Sequence, residues 1–381
     1  MRTSPVYFKN LNAIRVIAAL FVFMQHAVLP ALQHIQLEDL NAARLVSMIT
    51  SGGTGVSIFF VLSGFLITYL IISEIEQVGR FDLRSFYMRR MLRIWPLYLS
   101  VVFFWFIIYG GAKYLMGMGG DIGSNLFMHL SFLSNFDVLT IYKEGRGLPA
   151  MYQNINWSVS IEEQFYMAWP LIFLLSKKKW IYLILTALIF SIGFRLVNAT
   201  DPLINYLHTF SVMVDLVIGG LFAYAIKAST KIKILFESTN TLTHALFFGL
   251  TFIFLFFGTD FLGFFSNSLG RVITSILFGI LITSQALTVN SSFLNLGNYK
   301  LLSKWGKYTY GIYLLHPVAI KFIDLVSRGV GFEHQQSYKT EFLFAFIVFL
   351  LTLIMSYLSF HFFELKFLSL KKKFQVISTS K

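Results

Sequence analysis

Apolar runs of roughly 17 to 25 residues recur from one end of the chain to the other, the length a helix needs to cross about 30 Å of hydrocarbon. They leave little freedom over the fold. Inside a bilayer every backbone N–H and C=O must be bonded within its own segment or a closed barrel. A barrel would show short strands of alternating polarity instead. Only 13% of the 381 residues are charged and 56% are hydrophobic, whereas soluble domains carry about 25% charge. The sequence therefore predicts an all-α, polytopic transmembrane bundle forming one domain over 1–381, with a core at 8–365 and a basic tail at 366–381.

Ten spans are expected, at 11–33, 53–73, 94–111, 160–176, 180–197, 207–226, 243–260, 270–289, 308–327 and 341–363. The stretch 125–136 is too short to cross and reads as interfacial or re-entrant. With the N-terminus inside, 21 of the 31 basic residues fall on the cytoplasmic side, eight on the outer side, and two, Arg15 and Lys321, within spans. That asymmetry follows the positive-inside rule and places both termini in the cytoplasm. Counting 125–136 as a span would reverse it. The net charge of +13 is then a signature of topology rather than of nucleic-acid binding. The first run lacks a small-x-small cleavage site and is long enough to span, so it reads as retained. There is no cysteine, hence no disulfide, thiolate nucleophile or cysteine metal site. The expected location is the bacterial inner membrane.

Five stretches depart from plain apolar filler. LNAIRVIAALFVFMQHA, 11–27, carries Arg15 and His26 eleven residues apart. On an ideal helix that spacing is about 20° past three full turns, so both lie on one stripe, about 16 Å apart along the axis. An ionisable group in a span costs at least about 2.5–3.5 kcal/mol, so it usually faces a polar cavity. The stripe hints at a polar track; snorkelling of Arg15 and a helix contact by His26 explain the pair equally well. SGGTGVSIFFVLSGFLI, 51–67, offers small residues for close helix packing or for a ligand against bared backbone, with Ser57 and Ser63 as polar groups. FYMRRMLRIWPLY, 86–98, sets Arg89, Arg90 and Arg93 at the cytoplasmic end of the third span. They serve as an orientation signal, or as bidentate partners for the phosphates of a cytosolic donor.

NWSVSIEEQFYMAWP, 156–170, puts Glu162 and Glu163 at the outer mouth of the fourth span, where Trp157, Tyr166 and Trp169 read as an interfacial belt. A carboxylate there could orient a histidine for proton transfer. WGKYTYGIYLLHPV, 305–318, carries His316 beside Pro317, which kinks helices. Lys321 and Asp324 are spaced to pair with each other, and Asp215 and Arg195 are expected to pair between helices. No Walker loop, GxGxxG, HExxH or GxSxG elbow is present, and no histidine and acid spacing suggests a metal.

Taken in order, these five stretches resemble the acyltransferase-3 family of membrane-bound acyltransferases over about residues 8–365. The resemblance implies about ten helices, no metal and no bound cofactor. It implies transfer of an acyl group, often acetyl from acetyl-CoA in this family, to a hydroxyl of a surface or lipid-linked carbohydrate of the cell envelope. By motif position it makes His26 the essential histidine with Arg15 as its paired arginine. Arg89, Arg90 and Arg93 match the donor-side triplet, Glu162 and Glu163 the acidic pair, and His316 the late histidine. Two features depart from the family. Glu364, Leu365 and Lys366 stand where it often has Glu-x-Pro. There is also no appended hydrolase-like domain, so the membrane domain is expected to finish the reaction alone or with a separate glycan-assembly partner.

The expected mechanism has donor phosphates at Arg89, Arg90 and Arg93, with Arg15 and Ser63 also on the donor path. His26 acts as general base or transient acyl carrier, Glu162 or Glu163 supports it, and Trp157, Tyr166 and His316 line the site. A positioned base supplies typically about 10²–10⁴-fold in rate. The competing readings are a proton-coupled transporter or flippase and a non-catalytic membrane partner. The expected partners are acyl-CoA, a carbohydrate and membrane lipid, with no nucleic acid.

Overall fold

Nine helices among the described residues are long and apolar enough to cross a membrane. The computed structural model describes residues 8–35, 39–117, 123–146, 155–288, 293–332 and 337–377. The outer parts of the single-domain expectation, 1–7 and 378–381, and parts of the loops lie outside those residues. All regular structure among the described residues is helical. The spans are α1 (Lys9–Gln33), α2 (Gly52–Val78), α3 (Leu83–Leu115), α5 (Lys177–Val197), α6 (Thr209–Ala228), α7 (Thr241–Gly258), α8 (Ser266–Leu287), α9 (Thr309–Gly329) and α10 (Tyr338–Phe374).

The expected fourth span is the exception. It is a shorter helix, α4 (Asn156–Ala168), followed by a 3₁₀ turn over Trp169–Leu174. Pro170 lacks the N–H that would bond the Tyr166 carbonyl, so the α-helix cannot run on through it. The 3₁₀ turn rises faster per residue, and the two pieces together reach about 30 Å. That length matches a crossing. Phe8 and Leu11, near the beginning of the described chain, and Lys371, near its end, line one cavity, so these two parts of the chain come together. The stretch 125–136 does not span; it forms part of the broken pair Leu126–Leu130 and Ser134–Lys143. Buried His129, Ser134 and Asn135 tuck that pair into the bundle.

Local signals set the helix ends. Ser51 caps α2, accepting from the Thr54 N–H at 3.2 Å, and Gly79 ends it at φ 81°. Asp82 caps α3 by accepting from the Ser85 N–H at 3.1 Å. Ser337 and Thr340 form a reciprocal capping box at the start of α10.

At the centre α2 lies against α1 on one side and α6 on another. Glycine makes the α2–α6 contact possible. A methyl added at Gly64 would lie 2.6 Å from the Leu216 carbonyl carbon, and one at Gly219 would lie 2.8 Å from the Phe65 nitrogen. Packing thus accounts for Gly64. Apolar side chains exposed on α5, α7 and α10, such as Ile189, Leu250 and Ile354, mark the lipid-facing perimeter.

Three expectations about partners resolve differently. Lys321 and Asp324 do pair, at 3.0 Å, and Arg328 joins them at 2.8 Å. Asp215, however, pairs with Arg271, not Arg195: Arg271 donates to both its oxygens, the shortest bond 2.7 Å, and Ser275 donates at 2.5 Å. Arg195 instead donates to the carbonyls of Asn267, Ser268 and Asn205 at 2.6, 2.7 and 2.9 Å. The Asn267 and Ser268 carbonyls are available because the chain around Ser266–Gly270 is a π-turn, with its hydrogen-bond ladder locally widened. Trp157, Tyr166 and Trp169 form no interfacial belt, since all three are buried in the bundle. Trp169 donates to Thr68 at 2.8 Å.

Candidate active site

A cavity of about 300 Å³ opens among α1, α2, α3, α4 and α9. Five basic side chains line it: Arg15 from α1, Arg89, Arg90 and Arg93 from the first turns of α3, and Lys371 from the end of α10. Glu162 is the single carboxylate among its lining residues. Ser63 and Tyr166 both donate hydrogen bonds to Glu162 Oε1. The site is strongly cationic, and Arg15 donates to Asn12 at 2.7 Å. Arg89 is paired with Glu74 at 2.9 Å; the remaining guanidinium groups, buried or half-buried on a cavity with one carboxylate in its lining, suit an anion with several oxygens, above all a phosphate.

Phe59, Ser158 and Tyr313 line the cavity as the wall next to the histidines. Tyr313 and Ser158 share a hydroxyl hydrogen bond of 2.5 Å, and Phe59 stands edge-on to the Tyr313 ring at 5.9 Å. The Tyr313 ring in turn stands edge-on to His316 at 6.3 Å, and neither His316 nor His26 lines the cavity. His26 Nδ1 and His316 Nε2 are 2.9 Å apart, the rings stacked at 5.2 Å. His316 is buried and its Nδ1 lies 3.0 Å from the Ile312 carbonyl. A carbonyl only accepts, so His316 Nδ1 carries the proton and, in the neutral ring, His316 Nε2 accepts from His26 Nδ1–H. This relay leaves His26 Nε2 with its lone pair free, the tautomer a general base requires.

The expected continuous stripe from Arg15 to His26 is interrupted. Arg15 lines the cavity; His26 does not. The helix widens into a π-turn over Met24–Val28, with His26 in it. One extra residue in a turn rotates what surrounds it by up to about 100° relative to an ideal helix, so the stripe computed from spacing alone does not hold there. Such π-turns often sit at functional positions.

The other predicted residues divide. Ser63, Glu162, Tyr166 and the four arginines gather on the cavity. Glu163 points elsewhere: it is buried and accepts from Trp95 Nε1 at 2.8 Å, while its Oε1 has no hydrogen-bond partner. Trp157 backs the wall, packed on Phe60 at 6.2 Å and Tyr206 at 5.0 Å. His26 meets His316 rather than a carboxylate. Sequence reasoning missed Lys371, which nothing in the tail's composition distinguished. It also missed the wall residues Ser158 and Tyr313, although both lie in stretches singled out above.

The sequence of an acyltransferase domain family, acyltransferase-3, matches residues 8–361. The peptidoglycan O-acetyltransferase OatA of Listeria monocytogenes is 27% identical over 334 residues, covering 83% of this chain and 50% of that protein. The O-acetyltransferase OatA of Staphylococcus aureus is 27% identical over 336 residues, covering 84% and 52%. The chain spans about half the length of the curated relatives it matches. No solved structure matches it. With a match over residues 8–361 that takes in the arginine cluster, Glu162 and both histidines, this integral membrane protein belongs to the acyltransferase-3 family.

Proposed function

We propose that the protein is a membrane O-acetyltransferase that takes an acetyl group from acetyl-CoA on the cytoplasmic side and delivers it to a carbohydrate hydroxyl across the membrane. The observation that carries this reading is the cationic cavity: five bases around one carboxylate, ending one helical turn from a histidine pair. Bacterial relatives named as O-acetyltransferases support the acyl group, and the peptidoglycan named for one of them supports a carbohydrate acceptor.

In this reading Arg89, Arg90, Arg93 and Lys371 hold the donor's phosphates, which places their end of the bundle in the cytoplasm. The thioester arm extends past Arg15, Ser63 and Glu162 toward Tyr313. His26 Nε2 takes the proton of the acceptor hydroxyl. The oxygen attacks the thioester carbonyl, the carbon–sulfur bond breaks, and the leaving thiolate takes the proton from the imidazolium. His316 is a positioning residue that fixes the His26 tautomer and shares its charge. Glu162, held by Ser63 and Tyr166, balances the arginines along the donor path instead of touching His26. The Phe59–Tyr313 wall must open for the thioester to reach the histidine, which keeps water from the donor until then.

The test is transfer of labelled acetyl from acetyl-CoA to a glycan acceptor by the purified protein. The reading expects wild type to transfer, His26→Ala to lose transfer while inserting normally, and Arg90→Ala to raise the apparent KM for donor but not acceptor. A protein that moves glycan across the membrane without labelling it is a carrier, and one that does neither is a partner of some other enzyme; either result removes the proposal.

A further inference from the structure

A second cavity, of about 260 Å³, lies beside the first. The inner end of α2 and the start of α3 form one side of it, and the last described residues of the chain form the other. Arg89, Arg90 and Lys371 border both cavities. Arg90 stands at the junction. Its guanidinium lies 5.6 Å from the centre of the Phe86 ring, which faces the second cavity, and 5.6 Å from that of Tyr166, which faces the first. Its Nε is buried with no hydrogen-bond partner, and such a donor calls for an acceptor. Arg89 fastens the chain's end in place, donating to the Phe374 carbonyl at 2.7 Å and to Glu74 at 2.9 Å. Away from the junction the second cavity is lined by Ile71, Phe86, Leu368, Val376 and Ile377, with Glu74, which Arg89 neutralises, Lys372 and Gln375 as its polar groups.

We infer that the second cavity seats the nucleoside end of the acyl donor, with the pyrophosphate lying across Arg89, Arg90 and Lys371 between the two cavities. This rests on the donor reading given above and deepens it. Coenzyme A carries a pyrophosphate in the middle, an aromatic base and a ribose 3′-phosphate at one end and a slender thioester arm at the other. The two cavities repeat that order: a chamber with one aromatic ring and Lys372 on its lining, a cationic waist, and a shaft leading toward Tyr313. The Phe86 ring offers a surface for a base, and the Gln375 amide offers both a donor and an acceptor for its edge. The waist supplies the phosphate contacts that an Arg cluster is suited to make. On this account the end of the chain is a wall of the donor site, and Lys371 binds donor.

The test fills the chamber without touching a cation. Val376 is half-buried in non-helical chain beyond α10, so a large residue there leaves the bundle intact. The purified full chain in lipid nanodiscs is titrated calorimetrically with coenzyme A and with 4′-phosphopantetheine, which lacks the nucleotide. Wild type should bind coenzyme A the more tightly. Val376→Trp should weaken coenzyme A about tenfold or more and leave phosphopantetheine unchanged, while Leu370→Trp, at an exposed position that lines neither cavity, should alter neither. If Val376→Trp changes neither ligand, or both alike, the nucleoside sits elsewhere and the inference falls. It also falls if Leu370→Trp costs as much as Val376→Trp, because occupancy of the chamber is then not the cause. A wild-type protein that binds neither ligand overturns the donor reading along with it.

Discussion

Replacing Gly64 by alanine isolates the contact on which the site's central helix depends. The new methyl would lie 2.6 Å from the Leu216 carbonyl carbon and 2.8 Å from its Cα. Carbon atoms rest at about 3.5–4.0 Å. The obstacle is helix backbone, so no rotamer change relieves it, and α2 and α6 must part by about 1 Å. Overpacking of this kind costs about 1–3 kcal/mol. Gly219, closed on Val61 and Phe65 in the same interface, would lose its contacts too. Gly193 in α5 is the matched control, because a methyl there meets nothing within 4 Å. Alanine at that position gains about 0.8–1.0 kcal/mol of helix propensity over glycine. The two substitutions are chemically identical and should have opposite signs. Thermal midpoints of the purified variants in one detergent, followed by tryptophan fluorescence, give the comparison. Acyl transfer should fall in Gly64→Ala as well, since the preceding residue, Ser63, donates to Glu162. A Gly64→Ala protein as stable and active as Gly193→Ala would refute the claim that this interface excludes a side chain.

Other residues give separate tests. Asp215→Ala strands Arg271 among buried groups and should cost about 3–5 kcal/mol; Asp215→Leu combined with Arg271→Met should cost less, and equal losses in the two proteins would argue against an ion pair as the reason for Asp215. His316→Ala should lower kcat about 10–100-fold, the range seen when a partner that orients a histidine is removed, and shift the acidic limb of the pH profile, where His26 takes up a proton and stops acting as a base, while the donor KM holds; an unchanged profile would make His316 a packing residue. Asp82 accepts from the Ser85 hydroxyl at 2.6 Å and from its N–H, and these bonds hold its carboxyl below the ordinary value. A lowered carboxyl stabilises above its unfolded pKa and loses that contribution as pH falls through the folded value. Asp82→Ala should therefore cost about 0.5–2 kcal/mol at neutral pH, and its deficit against wild type should shrink below about pH 4; a deficit independent of pH would contradict this.

The residue types and their order made the class of protein legible before any coordinates. Long apolar runs with so little charge must be helices in a bilayer, because hydrocarbon offers no other partner for the backbone. The polar interruptions were legible too, and Arg15, Ser63, Arg89, Arg90, Arg93, Glu162 and Tyr166 do converge on one cavity. Helical spacing tells which residues share a face. It does not tell which faces meet, and that is where the reading stopped. Asp215 meets Arg271 rather than Arg195, and His26 meets a histidine 290 positions away. A π-turn, which no residue pattern announced, took His26 off its stripe. Trp157 and Trp169 were read as interfacial because aromatic residues collect there, yet a neighbouring helix buried them. The sequence by itself determined a helical membrane bundle and the inventory of groups that a transfer reaction needs. Only the tertiary structure decided their pairing, the wall between cavity and histidine, and the return of Lys371 to the arginines, since each depends on contacts between segments far apart in the chain.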